Sequence, residues 1–379
     1  MALRTPPEVL LRQYIRYGKY TASQYGSTYQ PSRSQCASSA SKNYKAAVCT
    51  KLGQPLVIKE FPYPTELKSN EVLIATHAMG VNFADILISK GLYQDRRKTP
   101  FISGSELSGK VVEVGSDVGD LKNGDRVIFL SFAGSSAGAS EFCVVDRKTV
   151  INIPTTLNLV TAAATIVSYG TAMMALTYKA KLKKHEKVLV TAATGATGLA
   201  AVDIAKNLFD CQVIAVCGGE EKCQFLKSRG ADYTIDYSVD RIRDKVKEIT
   251  QGGGVDVVMD QVGGETLLDC VKSLAFEGRA ITVGYSSGNI PNVPANLLLL
   301  KSATLMGVYW GSYAQANPGV FGQSIAQVLK AVAEQKLQPY VGRTFPLEQI
   351  NEAYQYVLDR KSTGKVVVTL RDEESPTPL

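Results

Sequence analysis

Apolar residues in this 379-residue chain fall into two rhythms. Up to Val145 they form short runs broken by turn residues, at 45–49, 56–59, 72–78, 109–114, 126–130 and 141–145. Closely spaced strands joined by loops such as Gly115-Ser116-Asp117 and Asn123-Gly124-Asp125 predict a compact β-rich region. From 159 to 178 the pattern turns helical and alanine-rich, and from Lys187 strands alternate with helices. Strands are expected at 187–191, 212–216, 233–235, 255–260, 279–283 and 304–308, which together make a doubly wound parallel sheet. Helices at 322–334 and 347–360 follow, and a strand at 364–370 is expected to rejoin the β-rich region.

The first strand of the alternating half runs into Ala192-Ala193-Thr194-Gly195-Ala196-Thr197-Gly198, spaced Ala-x-x-Gly-x-x-Gly, and then into a helix with Leu199, Val202, Ala205 and Leu208 on one face. Small residues let the backbone approach a pyrophosphate, and the helix start offers unpaired N–H groups and a positive dipole end. Glycine alone would mark only a tight turn. Strand, turn, helix and second strand in one βαβ unit point instead to a Rossmann-type dinucleotide site on Ala192, Thr194, Gly195, Ala196, Thr197 and Gly198.

Where an NAD-preferring chain carries an acid against the ribose hydroxyls, this one has Cys217-Gly218-Gly219, with Lys222 shortly after. Room at Gly218 and charge at Lys222 favour NADPH. Glu220 and Glu221 have two readings, as ribose contacts or as first-turn carboxylates opening a helix at 221–228.

Residues 1–42 differ from the rest, with Arg4, Arg12, Arg16, Lys19, Arg33 and Lys42 against Glu8 alone, and many serines. Basic residues on one helical face, with few acids, are the signature of a transit peptide addressed to the mitochondrial matrix; the plain alternative is an unstructured tail. This segment holds most of the net charge of +7, so nucleic acid is not an expected partner. No apolar run is long enough to span a bilayer. The seven cysteines contain no Cys-x-x-Cys pair, and His77 and His185 are the only imidazoles, which argues against a disulfide framework or a tetrahedral metal site. His77, inside a strand, reads as a hydrogen-bonded structural histidine, and His185 as a surface residue.

Gly80-Val81-Asn82-Phe83-Ala84-Asp85, Gly91-Leu92-Tyr93, Gly104-Ser105-Glu106-Leu107-Ser108-Gly109, Gly124-Asp125-Arg126-Val127, Asp260-Gln261-Val262-Gly263-Gly264 and Ser362-Thr363-Gly364-Lys365-Val366 accompany the glycine turn. With these motifs the chain resembles the zinc-free quinone oxidoreductase branch of the medium-chain dehydrogenase/reductase superfamily. The resemblance implies a GroES-like catalytic domain over 43–165, completed by 338–371, and a Rossmann domain over 166–337, with a tail at 372–379. Zinc-dependent relatives carry Cys-Gly-x-Asp and Gly-His-Glu where this chain has Val81-Asn82-Phe83 and Gly104-Ser105-Glu106, so no metal is expected.

By resemblance, Asn82, Asp85 and Tyr93 line the acceptor space, and Tyr93 is the preferred proton donor because a phenol both donates and accepts. Each has a simpler reading: Asp85 as a helix cap, Asn82 as a turn residue, Tyr93 as a loop tyrosine. Ser168, Tyr169 and Thr171 resemble the segment approaching the nicotinamide, Val262, Gly263, Gly284 and Tyr285 belong to the cofactor-binding set, and Tyr237 and Arg360 join that set at the ribose phosphate. The expected activity is hydride transfer from NADPH to a quinone or similar electron-poor small molecule. The alternatives are an enoyl or alkenal reductase and a low-turnover NADPH-binding protein. A homodimer is expected through the sheet edge at 304–308 beside Leu297–Leu300, which could equally be a covered core edge.

Overall fold

The computed structural model describes residues 43–94, 97–131 and 137–372, so the expected leader lies outside the described residues. The chain divides into two compact units, one holding 165–340 and 362–364 and the other the remaining described residues.

The β-rich unit starts with β1 (Asn43–Cys49), β2 (Val57–Pro62), β3 (Glu71–Gly80), β4 (Phe101–Ile102), β5 (Glu106–Val114), β6 (Arg126–Leu130), β7 (Phe142–Asp146) and β8 (Val150–Asn152). The second unit contributes β9 (Lys187–Val190), β10 (Gln212–Cys217), β11 (Tyr233–Asp236), β12 (Val255–Asp260), β13 (Leu274–Thr282) and β14 (Thr304–Gly307). β15 (Val341–Pro346) and β16 (Lys365–Thr369) return to the β-rich unit.

In the β-rich unit a three-stranded sheet of order β2-β1-β4 accompanies a seven-stranded one of order β15-β16-β3-β5-β6-β8, with β7 paired to β3. Nearly all of β3 is buried, because it has partners in β5, β7 and β16. Ile74, Met79, Leu107, Val127 and Phe129 build the core there. β5 starts at Glu106, three residues before the position its apolar pattern predicts. Its buried polar residues are satisfied internally: Ser108 Oγ donates to the Leu159 carbonyl at 2.6 Å, and Glu106 is ion-paired. β15 has no counterpart among the expected strands because five of its six residues lie on the solvent side or part-way, leaving only Phe345 buried.

The second unit is the doubly wound sheet, six parallel strands in the order β11-β10-β9-β12-β13-β14. Its central strands are apolar throughout, as burial on both faces demands, and Val188, Leu189, Val190, Val213, Ile214 and Ala215 are fully shielded. The helical stretch expected over 159–178 is broken. Helix Leu159–Ala162, capped by Asn158 Oδ1 on the Thr161 N–H at 2.7 Å, stays with the β-rich unit, whereas helix Ile166–Met173 and a π-helical turn Met174–Lys179 belong to the second. Among the described residues no helix is long and apolar enough to cross a membrane.

Candidate functional site

Strand order reverses at β9, which lies between β10 and β12, and the carboxyl ends of these strands are where an open α/β sheet binds ligands. β9 ends at Val190, and Ala192 takes a left-handed conformation (φ +47°) that turns the chain into helix Ala196–Phe209. Gly195 caps this helix without a side chain, leaving the first-turn amides of Ala196, Thr197 and Gly198 with no intrahelical acceptor. Gly198 is required by close packing, since a Cβ there would stand 2.4 Å from the Ala192 carbonyl oxygen. A Cβ on Gly195 would meet only that same oxygen, at 3.3 Å, so the space in front of the turn is open.

β10 ends at Cys217, and Gly218-Gly219 lead into helix Glu220–Ser228. The Tyr237 ring lies against Gly218, where a Cβ would come 2.8 Å from Cζ and from the phenol oxygen. Asp236 holds the turn by accepting from the Gly219 N–H at 2.9 Å and from the Ser238 amide and hydroxyl; the Ser238 hydroxyl above all keeps its carboxyl below the usual range. Of the two readings left open for Glu220 and Glu221, the helix start is the one observed: both occupy the first turn, and Glu220 accepts from Gln224. Lys222 is in the same turn.

At the end of β12, Asp260 ties the neighbouring loops together. It accepts from Thr191 Oγ1 at 2.7 Å and from the Gly263 N–H at 2.8 Å, and burial pushes its carboxyl up. Val262 accepts from Ser287 Oγ at 2.6 Å, while Gly284 and Tyr285 follow β13. Ser168 and Thr171 are buried on helix Ile166–Met173. Tyr169 has a different role from the one its neighbours suggest: its hydroxyl donates to Asp203 Oδ2 at 2.6 Å, fastening its own helix to helix Ala196–Phe209. Arg360 lies in the other unit, exposed, with φ +57°.

In the β-rich unit, Asn82 precedes helix Phe83–Ser89, and its N–H donates to Asp85 Oδ2 at 3.0 Å, so Asp85 does cap the helix start. The Asn82 side chain, however, belongs to a buried network. Lys365 Nζ donates to Asn82 Oδ1 and to Glu106 Oε2, both at 2.7 Å, and Asn82 Nδ2 donates to Glu106 Oε2 at 3.3 Å and to the Gly80 carbonyl at 3.2 Å. Burial raises the Asp85 carboxyl against the hydrogen bonds from Ser105 and Asn82 and the charges of Lys365 and Arg97. Ser103 Oγ and the Tyr354 hydroxyl are 2.9 Å apart nearby, and burial pushes the Tyr354 phenol up. Tyr93 stands half-buried in the segment after the helix.

Glu106, Asp260 and Lys365 stand inside motifs that carry the resemblance but have no site role assigned from the sequence, and Asp236 lies outside those motifs. The signal they share is a charged residue at the end of an apolar strand, a position that is costly where it is buried unless the charge is paired. Of the histidines, His77 is buried with Nδ1 3.0 Å from the Ala75 carbonyl, and His185 is exposed beside Asp210. Among the described residues no cluster of three His, Cys, Asp or Glu could hold a metal ion.

Comparison with known proteins agrees with this architecture. Residues 68–176 match the alcohol dehydrogenase GroES-like domain family, and residues 196–330 the zinc-binding dehydrogenase family. The chain is 46% identical to quinone oxidoreductase-like protein 2 of Bos taurus, over 87% of this chain and 93% of that protein. A mycobacterial protein solved in complex with NADPH superposes with a TM-score of 0.76 at 30% identity, covering 86% of this chain and 100% of that one. The CurK enoyl reductase superposes at 0.77 with 26% identity, covering 87% and 100%. The chain therefore belongs to the medium-chain dehydrogenase/reductase superfamily of oxidoreductases, among the quinone oxidoreductase-like proteins.

Proposed function

We propose that the protein is a metal-free, NADPH-dependent reductase that passes hydride to a quinone or a similarly flat, electron-poor acceptor. The observation that carries this reading is the uncapped start of helix Ala196–Phe209 behind an open glycine turn, beside a second turn with no acid at the ribose position. The amides of Ala196, Thr197 and Gly198, after Ala192, Thr194 and Gly195, hold the diphosphate. Gly218 lets the Tyr237 ring close over its turn, and Lys222 and Tyr237 recognise the ribose phosphate there. Ser168, Thr171, Val262, Gly263, Gly284 and Tyr285 orient the nicotinamide. When bound, the cofactor supplies the hydride.

Asn82, Asp85 and Tyr93 line the acceptor space, and Tyr93 delivers the proton to the oxygen that gains charge. Metal-free chemistry is supported by the Lys365 ammonium bonded to Asn82, which puts a fixed cation in the Val81-Asn82-Phe83 stretch where zinc-dependent relatives carry Cys-Gly-x-Asp. Likeness to an enoyl reductase favours a second reading, in which Tyr93 protonates the carbon beside a carbonyl after hydride addition at the β position.

Calorimetric titration of the purified chain with NADPH and NADH, followed by an acceptor panel read as loss of reduced-nicotinamide absorbance, tests these readings. Preferential NADPH binding with quinone turnover is expected. Turnover of an alkenal or crotonyl thioester alone would favour the second reading. NADPH binding without any turnover would make the chain a binding protein, and binding of neither nucleotide would overturn the proposal.

A further inference from the structure

Cys217 closes β10 and Cys223 is the fourth residue of helix Glu220–Ser228, and the Gly218-Gly219 turn between them brings their sulfurs to 3.3 Å. Both are free thiols, buried with 2% and 3% exposure. The loop they enclose carries Lys222, assigned above to the ribose phosphate.

The strand end of this pair is held firmly. The Cys217 carbonyl accepts from the Tyr237 N–H at 3.0 Å, and Cys217 pairs with Asp236 across the sheet. At the helix end the Cys223 N–H donates to the Gly219 carbonyl at 3.2 Å, and Gly219 has φ +90° with open space on its Cβ side. A sulfur–sulfur bond is about 2.05 Å long, so joining the pair draws the sulfurs together by roughly 1.2 Å and fixes the torsions on both sides. With the strand end held, the adjustment falls on the first helical turn, which carries Lys222.

Burial pushes the Cys217 thiol up, reinforced by Cys223 and Asp236 and opposed by the Lys222 charge. A scarce and shielded thiolate is a poor target for a bulky disulfide reagent, and a small peroxide is the oxidant that fits.

We infer that Cys217 and Cys223 are a modification site, a dithiol that a peroxide oxidises to an intrachain disulfide, and that the disulfide weakens recognition of the ribose phosphate by Lys222. In the first step one thiolate attacks a peroxide oxygen. The S–O bond forms, the O–O bond breaks, and the departing hydroxide takes up the thiol proton as water. In the second step the other sulfur attacks the sulfenic sulfur, the S–S bond forms, the S–O bond breaks, and a second water carries off the remaining thiol proton. Two electrons pass from the sulfurs to the peroxide. The effect on the ribose phosphate rests on the dinucleotide reading above, whereas the disulfide itself does not.

The experiment treats the full-length reduced protein with hydrogen peroxide, maps it by trypsin and tandem mass spectrometry without reductant, and titrates the intact treated protein calorimetrically with NADPH and NADH. Trypsin cuts after Lys222, so the bond appears as peptides 207–222 and 223–227 held together, with fragmentation distinguishing Cys217 from Cys211. That linked pair is expected, with NADPH affinity about tenfold lower, NADH affinity changed much less, and the link and the loss both reversed by dithiothreitol. Cys223→Ala and Cys217→Ala, each lacking one sulfur, should keep their own NADPH affinity through the same treatment. A protein that binds NADPH but yields no linked pair would overturn the modification and leave only a thiol hydrogen bond. A linked pair with NADPH affinity unchanged, or an equal loss in both alanine variants, would overturn the assigned effect. A linked pair in a chain that binds neither nucleotide when reduced would overturn the dinucleotide reading and the effect with it, but uphold the disulfide.

Discussion

Lys365 and Glu106 meet at 2.7 Å with almost no side-chain exposure, 2% and 0%, and Asn82 bonded to both. A pair so far from water holds together through its geometry, and removing one member takes from the other its hydrogen-bonded counterion. Lys365→Met or Glu106→Gln alone should therefore destabilise the β-rich unit by about 3–5 kcal/mol. Lys365→Met combined with Glu106→Leu should recover much of that loss, since neither charge remains. Urea midpoints of the two single variants and the double variant form the cycle that checks this. Additive losses would show that the pair is not coupled.

Two glycines of the cofactor turn separate packing from binding. Ala at 198 would press its Cβ on the Ala192 carbonyl at 2.4 Å and the Ala193 Cα at 2.8 Å, backbone atoms that cannot step aside, so Gly198→Ala should cost about 1–3 kcal/mol of stability. Ala at 195 has ordinary backbone angles and one contact at 3.3 Å, so Gly195→Ala should stay within about 1 kcal/mol of wild type. It fills the space offered to the diphosphate, however, and NADPH affinity should drop by about tenfold or more, or ~1.4 kcal/mol. Thermal melts and calorimetric titrations of both variants distinguish the effects; unchanged NADPH affinity in Gly195→Ala would count against the diphosphate assignment.

The doubly wound sheet was legible because buried parallel strands write themselves as unbroken apolar runs, as at Val188-Leu189-Val190 and Val213-Ile214-Ala215. The glycine turn was legible for a related reason: close backbone approach demands small residues at fixed spacing. Charged residues resolved by a distant partner were not legible. The motif around Lys365 marks the residue but not its pairing, and its place before Val366-Val367-Val368 reads as that of a solvated lysine at a strand start, because its partners lie at 82 and 106. Tyr169 was drawn toward the cofactor by its neighbours Ser168 and Thr171, yet on a helix adjacent residues face different ways, and its hydroxyl goes to Asp203. β15 stayed hidden because an edge strand with one buried residue has no apolar rhythm.

Lys222 stands in the first turn of the helix after Gly218-Gly219, where its charge can meet a ribose phosphate but has nothing to meet on an unphosphorylated ribose. Lys222→Glu should raise the Michaelis constant for NADPH by about tenfold or more, ~1.4 kcal/mol, and leave that for NADH nearly unchanged. Steady-state kinetics with both nucleotides on the same acceptor decide it, and an equal effect on both would remove Lys222 from phosphate recognition.

Burial lifts the Asp85 carboxyl above its usual range, so the folded chain holds this proton more tightly than the unfolded one. Its contribution to stability is fully present below about pH 4, the unfolded value, and is lost as the pH climbs through the folded value. Asp85→Asn abolishes the titration while keeping an acceptor for the Asn82 N–H. The stability of this variant relative to wild type should rise from acid toward neutral pH and then level off, read as urea midpoints across a pH series. A difference independent of pH would mean that the carboxyl does not titrate differently in the two states.

β14 is the outermost strand of the parallel sheet, and helix Ala295–Lys301, which leads into it, is apolar on two faces. Leu297 and Leu298 pack against the sheet core, whereas Leu299 and Leu300 are 79% and 75% exposed. Among the described residues β14 pairs with β13 alone, and the helix that leads into it presents two leucines to solvent, a surface that would gain by covering in a second copy, since burying a leucine yields about 1.5–3 kcal/mol. A homodimer through this edge predicts a light-scattering mass of two chains at micromolar concentration. Leu299→Asp together with Leu300→Asp would bury two carboxylates in such a contact and should shift the mass to one chain while leaving the melting temperature of the fold close to wild type. A wild-type protein that is monomeric at that concentration, or a variant that remains dimeric, would place the dimer contact elsewhere or dispose of it.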